Sequence, residues 1–321
     1  MKKRILAVLL VAALVVVMAA ACGDGGTTAE RQPGDPARAM FVTQAMSNPS
    51  QAFSWKEFQR LKGEFNIEMI QVSGENEVAV EIAGIEQAIA EEYDVIFINP
   101  SNIEAVIPAL TEAFEAGIII GMFSSELPEE AQHIRHFFAG SDDFEGGKLA
   151  GEFVSARFPD GANFVEVGGQ AGHDAQIKRH DGFRAGIAAN IIELGSQNCP
   201  GGWNAHEARA IMEDFLIQFG DQIDIVWCHW DNGASAVIEA AQAAGRDDIF
   251  IIGVDGNSTG YQQVLDGTQA LSVGQSFTNM ARKSLENARI MLDGGSVPAV
   301  NIIPMDMVTT ENVNDLPWPE W

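Results

Sequence analysis

The chain has 321 residues, and 45 acidic against 19 basic side chains give it a net charge of −26. A field of that sign repels nucleic acid and anionic lipid, which excludes both as partners of the folded surface. The length suffices for two compact lobes.

Lys2, Lys3 and Arg4 open the chain, and an unbroken apolar run follows as far as Ala19-Ala20-Ala21-Cys22. A basic start, an apolar stretch and small residues form an export signal, which is not part of the fold. The last four residues resemble the bacterial lipobox, so residues 1–21 are read as a signal peptide and Cys22 as the lipidation site. An uncleaved membrane anchor is the alternative, because residues 5–21 are just long enough to span a bilayer. Either reading places the folded part outside the cytoplasm; a lipidated chain lies at the outer face of the cytoplasmic membrane or in the periplasm. Loss of the three basic residues of the signal takes the charge from −26 to −29. Residues 22–38 form the lipidated tether. From Gly23 they read GDGGTTAERQPGDPAR, without periodicity, and such a flexible segment reaches roughly 20 Å.

Ten apolar runs then read as strands: 39–45, 66–72, 94–99, 118–123 and 136–140 in the first half, and 163–169, 191–196, 223–230, 249–255 and 269–275 in the second. Stretches of helical period, such as SWKEFQRLKGEF and ARKSLENARIML, separate them. The segments DVIFINPSNIEAVIPALTEAFEAGIIIGMF and DIVWCHWDNGASAVIEAAQAAGRDDIFIIGVD repeat one β-α-β unit. Alternation at this spacing gives parallel sheets covered by helices. The fold class is α/β, two Rossmann-like doubly wound lobes of similar order.

Ligands of such sheets sit beyond the carboxyl ends of the strands. The residues there are Asn48, Ser124, Ser125, His173, Asp174, Trp203, Trp230, Asp231, Asp255 and Gln275. Carboxylates, amides, hydroxyls and indoles fit a ligand with hydroxyl edges and an apolar face. Most have a second reading. Trp203 packs locally or stacks on a ligand; Trp230 forms a ligand wall or covers the core. Asp231 caps the helix after it or binds ligand, and Asp255 starts a turn or accepts from ligand. Arg179 pairs with Asp181 or Asp174, or binds ligand. His173 caps a loop or binds ligand, while His206 and His229 are structural. Cys199 and Cys228 are a disulfide or two thiols.

No cofactor or metal is expected. EGGKLAG lacks the phosphate-loop spacing, VGGQAG lacks the dinucleotide spacing, and no Gly-x-Ser-x-Gly occurs. His133 and His136 have no third metal ligand near them in sequence.

From residue 39 to about 315 the chain resembles the periplasmic sugar-binding proteins of the ribose- and galactose-binding kind, with the type I fold. The motifs are MSNPSQAF, AGSDDFEGGKLAG, GHDAQIKRHDGF, GVDGN, SVGQSF and MDMVTTENV, in that order. The resemblance implies a hinge of three crossovers, near Ser141, Gln275 and Asp306. It divides the chain into a lobe of 39–141 with 276–306 and a lobe of 142–275 with 307–321. By the same resemblance Asn48 is a polar ligand position and Phe53 the stacking aromatic of the first lobe, with Gln51 or Trp55 able to intrude. Arg179 clamps the ring oxygen and a hydroxyl, His173 is a histidine ligand, Trp203 is the stacking aromatic of the second lobe, Asp255 is the acceptor carboxylate and Gln275 a hinge-side amide. Ser124 and Ser125 stand where the family often has charged residues, and Trp230 where it commonly has Asn, which makes the pocket less charged and more aromatic.

The expectation is a monomeric, lipid-anchored solute-binding protein, not an enzyme, that passes a neutral sugar or polyol to the permease of an ABC transporter. The alternatives are a sensor for a chemoreceptor or histidine kinase, and an exported sugar-modifying enzyme using Asp255, Asp231 and His173 as acid and base. Cys22→Ser should leave an uncleaved or released precursor, and mass spectrometry of the parent should find Cys22 modified; an unmodified mature Cys22 overturns the lipobox reading.

Overall fold

The computed structural model describes residues 32–319 and 321, so the signal peptide, Cys22 and most of the tether lie outside the described residues. The first sheet has six strands in the order β2 (Ile67–Ser73), β1 (Ala37–Thr43), β3 (Val95–Asn99), β4 (Ile119–Phe123), β5 (Phe137–Gly140) and β11 (Val300–Ile302), all parallel. The second repeats that order with β7 (Ile191–Cys199), β6 (Ala162–Gln170), β8 (Ile225–Cys228), β9 (Phe250–Asp255), β10 (Leu271–Gly274) and β12 (Asp306–Thr309). Only β12 is antiparallel to its neighbour among the described strands. The chain passes between the sheets three times, after β5, after β10 and after β11.

The inner strands, such as β3 (VIFIN) and β8 (IVWC), are apolar runs because both of their faces are covered, whereas the edge strands β2 and β7 carry exposed polar positions. In β1, Met40 and Val42 face one core with Ile96, Ile98, Ile120 and Met122, while Ala39 and Phe41 face the other with Phe97, Phe123 and Phe137. The helices α1 (Pro49–Leu61), α2 (Val78–Ala90) and α3 (Ile107–Glu115) cover this sheet, together with α9 (Phe277–Leu292), which packs on α1, β4 and β5. In the second lobe α6 (Ala205–Phe219) and α7 (Asp231–Ala243) close a core around Val165, Val226 and Ile251; α4 (Asp143–Arg157) and α5 (Asp174–Gly186) close one around Phe164, Ile225 and Trp227. The short α8 (Ser258–Asp266) follows β9. Burying a Phe or Leu side chain contributes about 1.5–3 kcal/mol, so these cores are the main stabilising term.

Two details depart from the sequence reading. Ala37 and Arg38, assigned to the tether, already belong to β1. Just before them, Gly34 N–H donates to Asp293 and Arg289 donates to the Asp35 carbonyl, which ties this segment to α9. Cys199 and Cys228 are free, buried thiols in the same core, and burial pushes the Cys199 thiol up to about 12.

The helices α4 and α5 touch backbone to backbone. A Cβ on Gly182 would lie 2.0 Å from the Phe144 carbonyl oxygen, and one on Gly147 would lie 2.5 Å from the Arg179 carbonyl oxygen. Gly182→Ala must therefore push the helices apart. The cost of overpacking, about 1–3 kcal/mol, should exceed the gain in helix propensity. Urea denaturation should show a lower midpoint with unchanged slope; a midpoint at or above that of the parent refutes the tight-contact argument.

Candidate functional site

Helix starts crowd the ends of the strands between the lobes. Asn48 caps α1 by accepting from Ser50 N–H, with Pro49 at the first helical position. His173 caps α5 through Nδ1, which accepts from Ala175 N–H. Asn204, Asn257 and Ser276 cap α6, α8 and α9. A small cavity of about 30 Å³ lies among these starts. Asn48, Ser124, His173, Arg179, Trp203, Trp230, Asp255 and Gln275 all line it.

The lobes meet around this space. His173 Nδ1 is an acceptor, so the proton sits on Nε2, which faces Asn99 Oδ1 at 3.2 Å and Ser125 Oγ at 3.4 Å in the other lobe. Burial first, then the charges of Arg179 and Lys178, lower the His173 pKa to about 3, so the ring is neutral. Asn76 Nδ2 donates to the Gly201 carbonyl, and Glu126 N–H donates to Asp174.

Arg179 is the cation of the cavity. Its Nε donates to Asp143 Oδ1 at 2.7 Å and its Nη1 to the His229 carbonyl; Nη2 has no hydrogen bond among the described residues. The guanidinium lies 5.5 Å from the centre of the Trp203 ring. Its partner is thus Asp143, not Asp174 or Asp181. His229 itself donates to buried Glu166.

Asp255 ends β9 with φ +127° and is 6% exposed. Its Oδ1 accepts from Gln275 Nε2 at 3.3 Å, which leaves capacity for a further donor. Burial, and next the charge of Asp231, hold its pKa well above the usual carboxylate range, while Arg179 opposes them. Ser124, at the matching strand end in the first lobe, has φ +63°. Non-glycine residues pay about 1–3 kcal/mol for such backbone angles and keep them only where the surroundings impose them.

The aromatic wall belongs to the second lobe. The rings of Trp203 and Trp230 stand at 88° with centres 5.5 Å apart, and His173 meets Trp203 at 87°. Gly169 on β6 leaves room for Trp203, since a Cβ there would come within 2.3 Å of the indole. Trp230 lines the cavity and is also 5% exposed, packed in the core under α6 and α7.

Two expected residues lie elsewhere, and one has an unforeseen role. Phe53 does not line the cavity; it stacks on Trp321 at 5.7 Å. Successive helix positions turn by 100°, so Gln51, which does line the cavity, faces opposite to Phe53. Trp55 packs on Phe41. Ser125 lies behind the wall and donates to Asn99. Asp231 neither caps its own helix nor lines the cavity; it binds groups of β10 and the turn after β9. Gln44, Ser50, Asn99, Ala175 and Phe277 were not singled out in the sequence but line the space. Asn99 ends a predicted strand and Gln44 directly follows β1 as observed, so both carry the strand-end signal that identified the others.

Several buried polar atoms at the cavity lack a hydrogen-bond partner: Gln44 Oε1, Gln275 Oε1 and Trp203 Nε1. On the hinge side, Trp321 also meets the Phe277 ring edge-on at 5.1 Å, and its carbonyl accepts from Ser258 N–H of the second lobe.

Residues 39–296 match the family model of the periplasmic binding protein domain. The ribose import binding protein RbsB of Escherichia coli (strain K12) is 26% identical over 274 residues, 84% of this chain and 90% of that protein. The xylitol-binding protein of Mycolicibacterium smegmatis is 25% identical over 255 residues, 78% of this chain and 70% of that protein. Among solved structures, a galactofuranose binding protein superimposes with a TM-score of 0.82 at 22% identity, covering 87% of this chain and 97% of its own. A Caulobacter myo-inositol binding protein reaches 0.82 at 18% identity, covering 88% and 97%. At these identities the two structures establish the shared fold alone.

The raised pKa of Asp255 has a consequence for stability. The folded state holds the proton more tightly than the unfolded chain, so stability falls as pH rises from about 3.9 through the folded pKa. Asn has no such proton and tolerates positive φ better. Asp255→Asn should therefore gain stability relative to the parent as the pH is raised from 3.5 to 8. Equal thermal melts at both pH values contradict this.

Proposed function

The chain belongs to the periplasmic binding protein family, and on that premise we propose that it binds a neutral sugar or polyol in the cleft between its lobes and hands it to an ABC importer. One observation carries the reading. Residues that line the cavity carry two acceptors without a hydrogen-bond partner, Gln44 Oε1 and Gln275 Oε1, and one such donor, Trp203 Nε1, and the indoles of Trp203 and Trp230 line the same space. A hydroxyl both donates and accepts, and the C–H face of a sugar or polyol suits an indole. Arg179 already has Asp143 as counter-ion, so the site favours a ligand without net charge.

In this reading Asn48, Ser124, His173, Arg179, Trp203, Trp230, Asp255 and Gln275 contact the ligand, joined by Gln44 and Gln51. Ser125 acts through Asn99, and Phe53 supports the hinge. The lobes run 37–141 with 276–305, and 142–275 with 306–321, since Asp306 already pairs in the second sheet. The protein is exported, anchored through Cys22 and monomeric, with the permease as its macromolecular partner. The names of its relatives, among them the ribose import binding proteins, support the importer. No described helix is long and apolar enough to cross a membrane. We read the protein as a binder rather than an enzyme: His173 is neutral with both nitrogens engaged, and Asp231 has its carboxylate bound by neighbours, so neither suits acid–base work.

A thermal-shift screen of monosaccharides, disaccharides, polyols and nucleosides tests this. A specific ligand at 100 times its Kd stabilises by about 2.7 kcal/mol, and a monosaccharide or polyol is expected to give the largest shift. Shifts with nucleosides alone overturn the reading. With the hit in hand, Trp203→Ala and Asp255→Ala should each weaken calorimetric binding by about one to two decades.

A further inference from the structure

We propose that Asp231 is a positioning residue for the ligand-facing carboxyl of Asp255, which it holds by gripping the turn that follows β9. The inference rests on the proposed role of the cleft, but its geometry stands independently. Asp231 is fully buried. Its Oδ2 accepts from Gly256 N–H at 2.8 Å, Asn257 N–H at 3.3 Å and Ser272 Oγ at 2.7 Å, and its Oδ1 accepts from Gln269 Nε2 at 2.8 Å. Two of these donors are the peptide groups immediately after Asp255. Ser272 Oγ also accepts from Gly256 N–H at 2.9 Å and so braces the same peptide from β10.

Ordinary helix capping does not explain this carboxylate. Asp231 is the first residue of α7, and the cap position before it, Trp230, makes no side-chain cap hydrogen bond. The surroundings are shaped to admit Asp231 from across the lobe. A Cβ on Gly253 would lie 2.5 Å from its Oδ1, and one on Gly260 would lie 2.1 Å from its Oδ2. Glycines on β9 and α8 thus leave the space that the carboxylate fills. What the grip fixes is the peptide following a residue at φ +127°. Without it, Asp255 is free to relax to an extended backbone, which swings its carboxyl away from Gln275 and the cavity. Asp231 does this without lining the cavity.

Asp231→Asn keeps an acceptor for the Gly256 and Asn257 amides; Asp231→Ala removes it. Ser272→Ala is a milder cut of the same brace, useful should Asp231→Ala fail to fold. Val237→Ala thins the same lobe's core but removes none of the hydrogen bonds around Asp231, and so controls for stability. The first measurement needs no ligand: the backbone NMR chemical shifts of Asp255, which report its φ. They should stay in place in Asp231→Asn and Val237→Ala, move fully toward extended values in Asp231→Ala and partly in Ser272→Ala. Unmoved shifts in Asp231→Ala, or in Ser272→Ala if the former does not fold, overturn the proposal. The second measurement is calorimetric titration with D-ribose, D-allose, xylitol and myo-inositol. For whichever binds the parent, Asp231→Ala should weaken affinity at least tenfold and Asp231→Asn less than threefold, with Val237→Ala unchanged despite its lower melting temperature. Equal losses in Asp231→Ala and Val237→Ala also overturn the proposal. If none of the four binds the parent, the sugar reading of the cleft fails, while the chemical shifts still decide whether Asp231 holds Asp255.

Discussion

A guanidinium buried where two lobes meet must be neutralised, and the pairing of Arg179 with Asp143 meets that constraint. Asp143 opens α4 and Arg179 lies in α5. A short, direct ion pair between two helices requires their axes to come close, which is why Gly147 and Gly182 face the other helix's backbone. The same approach leaves the remaining guanidinium nitrogen and the Trp203 face on the cavity side. Were the charge unpaired, the cavity would call for an anion; paired, it suits a neutral ligand. Ligand class thus follows from two glycines and a carboxylate outside the cavity lining.

All ten of the strands read from the sequence are present; the inner ones, covered on both faces, leave continuous apolar runs such as VIFIN and IVWC, and the edge strands β2 and β7 were legible from their shorter apolar stretches. β11 and β12 were missed. They are short edge strands, VNI and DMVT, with exposed positions and no apolar run. The cavity lining was legible to the extent that strand ends reveal it. Phe53 was misplaced through helical phase: the cap at Asn48 starts α1 so that Gln51, not Phe53, faces the space. The role of Asp231 was beyond a linear reading, since its partners Gly256, Gln269 and Ser272 lie 25 to 41 positions away.

The two halves share a strand order and also a way of presenting side chains. The fourth strand of each lobe in chain order, β4 and β9, leads to a residue with positive φ: Ser124 directly after β4 and Asp255 at the end of β9. The chemistry placed on that shared bend differs. One side offers a hydroxyl, the other a carboxyl; the indoles stand only beside the second. The duplicated architecture thus carries an asymmetric surface, with stacking faces from one lobe and amide or hydroxyl groups from the other.

The contacts of Trp321 bear on how such a molecule opens. Its ring lies on Phe53 and Phe277 of the first lobe while its carbonyl holds Ser258 of the second. In the proposed hinge the crossovers form the pivot, and the Trp321 contacts lie beside Gln275 and Asp306 at two of them. The far rim, where Asn76 meets Gly201 and His173 meets Asn99, then travels along the longest arc. Only a few hydrogen bonds hold that rim, each with a small net contribution. The Phe53 ring thereby acts at the fulcrum of the lever, where a small angular change becomes a wide aperture at the opposite edge.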